Sequence, residues 1–295
     1  MNTGKHTVTA LIRPDSKGTL PEGIKTAQYS YDDDAKSLVE ALQGQQFLII
    51  TLPVRATAET HSTIVKAAIK AGVSYIMPNV YGFDVFNESI RADLTSGARG
   101  YGYCSEIQEL GGTYIAMICG FWYEWSLALG EQWFGFDIKN RAVTFFDDGK
   151  TLMNISTWEQ CGRALAALLS LPESGTSPAL SDWKNKPFYF DSFRISQRDM
   201  LDSLNRVLGT ADKDWALKYE PTAKRYKDGL DEMQKGMITG FAKSMYSRVF
   251  FPNGGGDFES HTPLSNDVLG LPKESLDEAT KRAIDMVESG WNPFA

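Results

Sequence analysis

The stretch that decides the fold is FLIITLPVRATAETHSTIVKAAIKAGVSYIMPN, residues 47–79. It begins with a continuous apolar run, FLIITL, which is typical of a strand that helices cover on both faces. Residues 59–72 have helical periodicity and end at Gly72, and residues 73–79 read as the next strand. A strand, a helix and a second strand at this short spacing predict a parallel α/β sheet.

The same alternation continues on both sides of this stretch. Upstream, residues 8–12 predict a strand and residues 32–44 a helix, with Asp32–Asp34 at its start and Gly44 at its end. Downstream, TYIAMIC at 113–119 predicts another strand. Ligands of parallel sheets lie beyond the carboxyl ends of the strands. That rule selects four places: Arg13–Ser16, Thr51–Pro53, Pro78–Asp84 and Cys119–Phe121.

The second half of the chain changes character. Residues 120–137 are dense in aromatic side chains, and residues 141–156 resemble a hairpin that turns at DDGK. Helices are predicted at 157–171, 227–250 and 272–291, and a strand followed by a helix at 191–209, where Ser196 and Asp199 have capping-box spacing. We therefore expect a Rossmann-like α/β lobe at 1–120. A smaller α+β substrate lobe is expected at 121–295, with the chain crossing back.

Composition argues against several classes of protein. The chain has 295 residues, 42% of them hydrophobic, and a net charge of −7, which argues against a nucleic-acid or anionic-membrane binder. Its three cysteines and three histidines share no ligand spacing, so neither a metal site nor a disulfide framework is expected. No apolar run approaches the roughly 18 residues of a spanning helix. These features favour a cytosolic protein.

Arg13 lies where a dinucleotide-binding fold selects its cofactor. An acidic residue at the end of the second strand bonds the ribose hydroxyls of NAD, whereas an arginine accommodates the 2′-phosphate of NADP. Arg13 has this place directly after the strand at 8–12, and the hydroxyl of Ser16 follows. The nearby Asp15 leaves NAD as an alternative cofactor. The alternative interpretation of Arg13 is an ordinary exposed loop arginine.

Four segments carry a resemblance to a known family: VTALIRPDS, DDDAKSLVEALQGQQFLIITLP, IVKAAIKAGVSYIMPNVYGFD and CGFWYEWSLA. With them the chain resembles the NmrA-like, isoflavone-reductase-type group of atypical short-chain dehydrogenases. The block AGVSYIMPNVYG, residues 71–82, is the most specific. The resemblance implies an NADP-dependent reductase with substrate held between the lobes. It places Thr51, Leu52, Pro53, Pro78 and Asn79 against the cofactor. Tyr81, Phe121 and Trp122 are expected against the substrate, with packing in the core or between the lobes as the equal alternative for the aromatic block.

The chain departs from this family at its beginning. Family members open with a strand and a glycine-rich phosphate loop, and no such motif is present here. In the family register, residues 1–6 would end the first helix. The glycine cluster PNGGGDF, 252–258, has no strand–turn–helix context, and we expect a surface loop there. Because the missing strand is normally central, we expect exposed strand edges and poor stability that upstream residues would restore.

The second departure concerns catalysis. The resemblance implies a catalytic lysine near Gly102, but no lysine lies between Lys70 and Lys139. Tyr101 and Tyr103 are the nearby proton donors, with substrate contact or packing as their alternative roles. The leading hypothesis is an NADPH-dependent reductase of a C=C, C=N or C=O bond in specialised metabolism. The alternatives are a non-catalytic NAD(P) sensor that acts through protein partners, and a chain that binds no dinucleotide.

Overall fold

The computed structural model describes residues 4–14, 16, 18–31, 35–53 and 56–294. Its strands are β1 (Thr9–Ile12), β2 (Lys25–Gln28), β3 (Phe47–Ile49), β4 (Tyr75–Met77), β5 (Tyr81–Gly82), β6 (Ile115–Ile118), β7 (Phe121–Trp122), β8 (Phe136–Asp137), β9 (Ala142–Phe146), β10 (Met153–Ser156), β11 (Lys186–Tyr189), β12 (Phe193–Ile195) and β13 (Ala216–Glu220). Its α-helices are α1 (Lys36–Leu42), α2 (Ala58–Ala71), α3 (Glu88–Asp93), α4 (Thr95–Glu109), α5 (Tyr123–Ala128), α6 (Trp158–Leu169), α7 (Gln197–Leu208), α8 (Thr222–Gln234), α9 (Ile238–Val249) and α10 (Leu276–Glu288). None of the helices in these described ranges is both long enough and apolar enough to cross a bilayer.

The chain forms two compact units. The first contains the described residues of Met1–Val80 with Arg99–Ala116 and Ser170–Pro187, and the second contains Tyr81–Ala98, Met117–Leu169 and the described residues of Phe188–Ala295.

Parallel strands organise the first unit, as the sequence predicts. β1 pairs in parallel with β2, and β3 pairs in parallel with β4. Ile76 of β4 forms a further parallel bridge to Tyr114, just before β6. The predicted Rossmann-like α/β class is thereby confirmed.

The helix α2 also ends where the sequence indicates. Thr57 caps its start through a bond from the Thr60 amide, and Gly72 ends it at a φ of 80°, a left-handed conformation that costs glycine little. The strands on either side are shorter than predicted: β3 ends at Ile49, and β4 begins at Tyr75 and ends at Met77. The proposed capping of α1 by Asp32–Asp34 lies outside the described residues.

The beginning of the chain differs from the expectation. Residues 4–8 are not helical, so the expected helix end at 1–6 is wrong for its described part, and residues 1–3 lie outside it. In the described ranges no backbone hydrogen bond joins β1 to β3. The parallel sheet is therefore interrupted between these two strands.

The second unit contains two small mixed sheets around an aromatic core. β9 lies between β8 and β13, and β10 lies between β7 and β12. The predicted hairpin at 141–156 is therefore wrong, because β9 and β10 belong to different sheets and do not pair with each other. The single helix predicted at 227–250 is also wrong: Gly236, at a φ of 76°, separates α8 from α9.

The glycine cluster is packed rather than exposed. Gly255 and Gly256 are buried, and the Gly256 carbonyl accepts a hydrogen bond of 2.9 Å from the Asn154 amide. A Cβ on Gly256 would lie 2.7 Å from the Val249 carbonyl oxygen. The expected surface loop is corrected accordingly: these glycines let the loop approach β10 and α9 closely.

Candidate functional site

The structure joins the carboxyl ends of β3 and β4 through one side chain. Asn79, just after β4, accepts a hydrogen bond of 3.0 Å from the Leu52 amide and donates one of 3.3 Å to the Leu52 carbonyl. Thr51 and Pro53 are exposed beside Leu52, whereas Pro78 is buried. Most of the residues expected against a cofactor thus share one edge of the sheet, where parallel α/β folds place ligands.

His61 adds a buried imidazole to this edge, and the sequence analysis did not identify it. Its Nε2 accepts a hydrogen bond of 3.4 Å from the Asn79 amide. Burial lowers the pKa of His61 to about 4, so the ring is neutral at pH 7 and carries its proton on Nδ1. Nδ1 has no hydrogen-bond partner in the described part of the chain. The helical spacing of His61 with Ile64 and Val65 was the available signal for a buried position.

The two candidate proton donors occupy different environments on α4. Tyr103 is buried and its ring stacks on His61, with centroids 3.7 Å apart and planes 12° apart. Tyr101 is 39% exposed. Residues two apart on a helix do not share a face, so the two hydroxyls cannot serve one reaction centre together. Burial raises the pKa of Tyr103, which makes it a weaker proton donor than a free tyrosine.

Arg13 lies exposed at the carboxyl end of β1, as predicted. The chain turns there, because the Ser16 amide donates a 3.0 Å hydrogen bond to the Arg13 carbonyl. Ser16 is exposed as well, while Asp15 lies outside the described residues. The structure thus keeps Arg13 and Ser16 together in one turn.

Two tyrosines that the sequence analysis missed lie beside Arg13, at the carboxyl end of β2. The rings of Tyr29 and Tyr31 meet edge to face, 5.2 Å apart, and their hydroxyls are 3.1 Å apart. Burial and the bond to Tyr29 raise the pKa of Tyr31, and the nearby Arg13 charge opposes that rise. A guanidinium beside aromatic rings is a donor set that suits a phosphate next to a flat heterocycle.

The residues expected to contact substrate lie in the second unit and differ in accessibility. Phe121 is a core residue whose ring stacks on Tyr246 at 3.9 Å, so its placement does not support the expected substrate contact. Trp122 is half-buried in β7, opposite Ser156 of β10. Tyr81 is half-buried in β5, and burial raises its pKa.

A buried carboxyl in the second unit titrates near neutral pH. Asp191 accepts a hydrogen bond of 2.7 Å from Asn154 Nδ2 and faces the Glu259 carboxyl. Burial raises the pKa of Asp191 to about 6 despite the hydrogen bonds from Asn154 and Asn266. No group of three or more histidine, cysteine or acidic side chains in the described ranges is placed to hold a metal ion.

Comparisons with known proteins agree with this architecture. No family model matches the chain. A protein of Aspergillus flavus named oxidoreductase aprR is 25% identical over 278 residues, which is 93% of this chain and 89% of that protein.

Isoflavone reductase and AtPrR2 are two of the solved structures that match almost the whole chain. Isoflavone reductase has a TM-score of 0.74 at 16% identity, covering 95% of this chain and 92% of its own. AtPrR2, solved with NADP+ and (+)pinoresinol, has a TM-score of 0.74 at 15% identity, covering 95% and 91%. The predicted resemblance to isoflavone-reductase-type proteins is confirmed for the fold: this chain has the Rossmann-like architecture of those reductases.

Proposed function

We propose that this chain is an NAD(P)H-dependent oxidoreductase that uses NADPH to reduce a small organic molecule. The observation that carries the proposal is the group at the carboxyl ends of β1 and β2, where Arg13 lies beside Tyr29 and Tyr31. The oxidoreductase name of the Aspergillus flavus relative and the NADP+ bound to AtPrR2 support it.

The residues of the first unit suit different parts of the cofactor. Arg13 and Ser16 would hold the 2′-phosphate, since a guanidinium binds phosphate oxygens in a bidentate manner and a hydroxyl adds a donor. The tyrosine pair would offer ring faces to the adenine. The edge formed by Leu52 and Asn79 would hold the rest of the dinucleotide, and its double hydrogen bond keeps that edge in one conformation.

The chain offers little acid catalysis for the reduction. The bound cofactor supplies a hydride, and the acceptor then needs a proton unless it is already cationic. Tyr103 is buried beside a neutral imidazole, and burial raises its pKa although the nearby Arg99 charge opposes the rise. We therefore place cationic iminium substrates first among C=N, C=C and C=O acceptors, because orientation and hydride delivery suffice for them.

A two-step experiment tests this function. Fluorescence titration first measures NADPH binding to the full chain, and NADPH oxidation is then followed with iminium ions, enones and ketones. We expect micromolar binding, with turnover fastest on iminium ions. No NADPH binding in the millimolar range would overturn the proposal and favour a chain that binds no dinucleotide.

A second candidate is a non-catalytic NAD(P) sensor that acts through protein partners. The absence from the sequence of the lysine that the resemblance implies favours it. Cofactor binding without turnover on every acceptor class would select the sensor. The cytosolic location and the role in specialised metabolism stay predictions from the sequence.

A further inference from the structure

Three tryptophans of the second unit form a partly exposed aromatic corner. The rings of Trp125 and Trp133 meet at 82° with centroids 5.9 Å apart, and Trp122 meets Trp125 at 88° and 6.1 Å. All three are half-buried, unlike the neighbouring Phe121 and Phe134, which are buried in the core. Trp133 packs against this core, yet each of the three tryptophans keeps part of its surface accessible.

A ring from the end of the chain already occupies this corner. Phe294 stacks on Trp133 at 6.3 Å and 23°, and it meets Trp125 edge-on at 6.1 Å and 78°. These are the two geometries in which aromatic rings attract each other. Phe294 is nevertheless 68% exposed, so it touches the corner without being enclosed by it.

Local bonds bring Phe294 to this place. Gly290 has a φ of 70° and turns the chain after α10, and the Trp291 amide donates to the Met286 carbonyl at 3.0 Å. The Phe294 amide donates to Asn292 Oδ1 at 2.9 Å, and the Trp291 ring packs edge-on against Trp158 at 6.0 Å. The tail is thus held by a few separate contacts and no long-range backbone bond in the described chain, which suits a segment that can be displaced.

The charged neighbours of the tryptophans are already paired. Glu124, next to Trp125, accepts from Arg282 at 2.8 and 2.9 Å. Glu131, two residues before Trp133, accepts from Arg225 at 2.7 Å. The corner therefore offers ring faces beside carboxylates that already carry an arginine, which suits a flat aromatic group.

We propose that the Trp125–Trp133 corner binds a flat, uncharged aromatic ring of a small molecule, and that Phe294 occupies this site as a displaceable internal ligand. The role of this corner as a substrate subsite next to Trp122 rests on the proposed reductase function. The site itself does not depend on that function. Because a bound ring must replace Phe294, the apparent affinity falls with the fraction of molecules in which the tail is docked.

The test measures binding of N-phenyl-1-naphthylamine by its fluorescence, with the full chain and without NADPH. Phe294→Ala removes the competing ring, so we expect the probe to bind about threefold more tightly, within the range of one aromatic contact. Trp133→Leu keeps an apolar side chain but removes the stacking face, and it should weaken binding about fivefold. Tyr219→Ala is the matched control, since Tyr219 is an exposed aromatic residue whose ring packs elsewhere, against Phe145.

Unchanged or weaker binding by Phe294→Ala would overturn the proposal, as would an unchanged affinity of Trp133→Leu. Circular dichroism melting curves show whether each variant is folded, and Trp125→Phe replaces Trp133→Leu if that variant is not. Because no cofactor is present, a failure of NADPH binding would disprove the reductase function and leave the probe result standing.

Discussion

At the scale of single residues, Arg13 carries the choice of cofactor. It is exposed at the end of β1 and close enough to Tyr31 to influence its pKa. We expect Arg13→Ala to weaken NADPH binding by about 1.5–3 kcal/mol, the scale of a charge-assisted bond, and to leave NADH binding unchanged. Fluorescence titration with both cofactors checks this, with Arg99→Ala on α4 as the control. Equal losses for the two cofactors would rule out a role in binding the 2′-phosphate.

Tyr103 gives a second prediction at this scale. A positioned general acid contributes about 10²–10⁴ in rate, whereas a packing tyrosine contributes little through its hydroxyl. Because burial raises its pKa and its ring stacks on His61, we expect Tyr103→Phe to keep kcat on the best acceptor within about twofold. The same assay on Tyr101→Phe is the comparison. A hundredfold loss for Tyr103→Phe alone would restore it as the proton donor.

At the scale of secondary-structure elements, two glycines with the same backbone conformation differ in the space around them. Gly120 follows β6 at a φ of 66°, and a Cβ there would lie 1.9 Å from the Asn154 carbonyl oxygen. Gly209 ends α7 at the same φ of 66° with open space around it. We expect Gly209→Ala to cost about 1 kcal/mol of unfolding free energy and Gly120→Ala about 3 kcal/mol or more. Urea denaturation of both variants measures this, and equal losses would show that backbone strain rather than the clash dominates.

Elements also show what sequence could and could not predict. α2 and α7 were predictable, because their caps are local: Thr57 and Gly72 for α2, and the Ser196–Asp199 box for α7. The pairing of β9 was not, because it pairs with the preceding β8 and the distant β13, and a turn signal at DDGK reveals neither partner. For the same reason the sequence located Arg13 and Asn79 but missed Tyr29 and His61, whose neighbours only the folded chain supplies.

At the scale of the whole molecule, two buried groups give stability opposite pH dependences. His61 has a pKa of about 4 in the folded chain against a usual 6.5, so its contribution is complete above pH 6.5 and is lost as pH falls toward 4. Asp191 has a folded pKa of about 6 against a usual 3.8, so its ionisation costs stability that is recovered as pH falls from 6 toward 3.8. Each effect is about 3 kcal/mol at most.

The contributions of His61 and Asp191 to the pH dependence of the unfolding free energy nearly cancel between pH 4 and 6. A variant that lacks one of these side chains should therefore reveal the contribution of the other. Relative to the parent chain, His61→Phe should become less stable with rising pH across this window, and Asp191→Asn should become more stable. The double variant should follow the parent profile, because the free energies of independent sites add. Urea unfolding at pH 4, 5, 6 and 7 measures all four proteins. Parallel profiles for the parent and either single variant would mean that the corresponding side chain titrates in the folded chain as it does in the unfolded one.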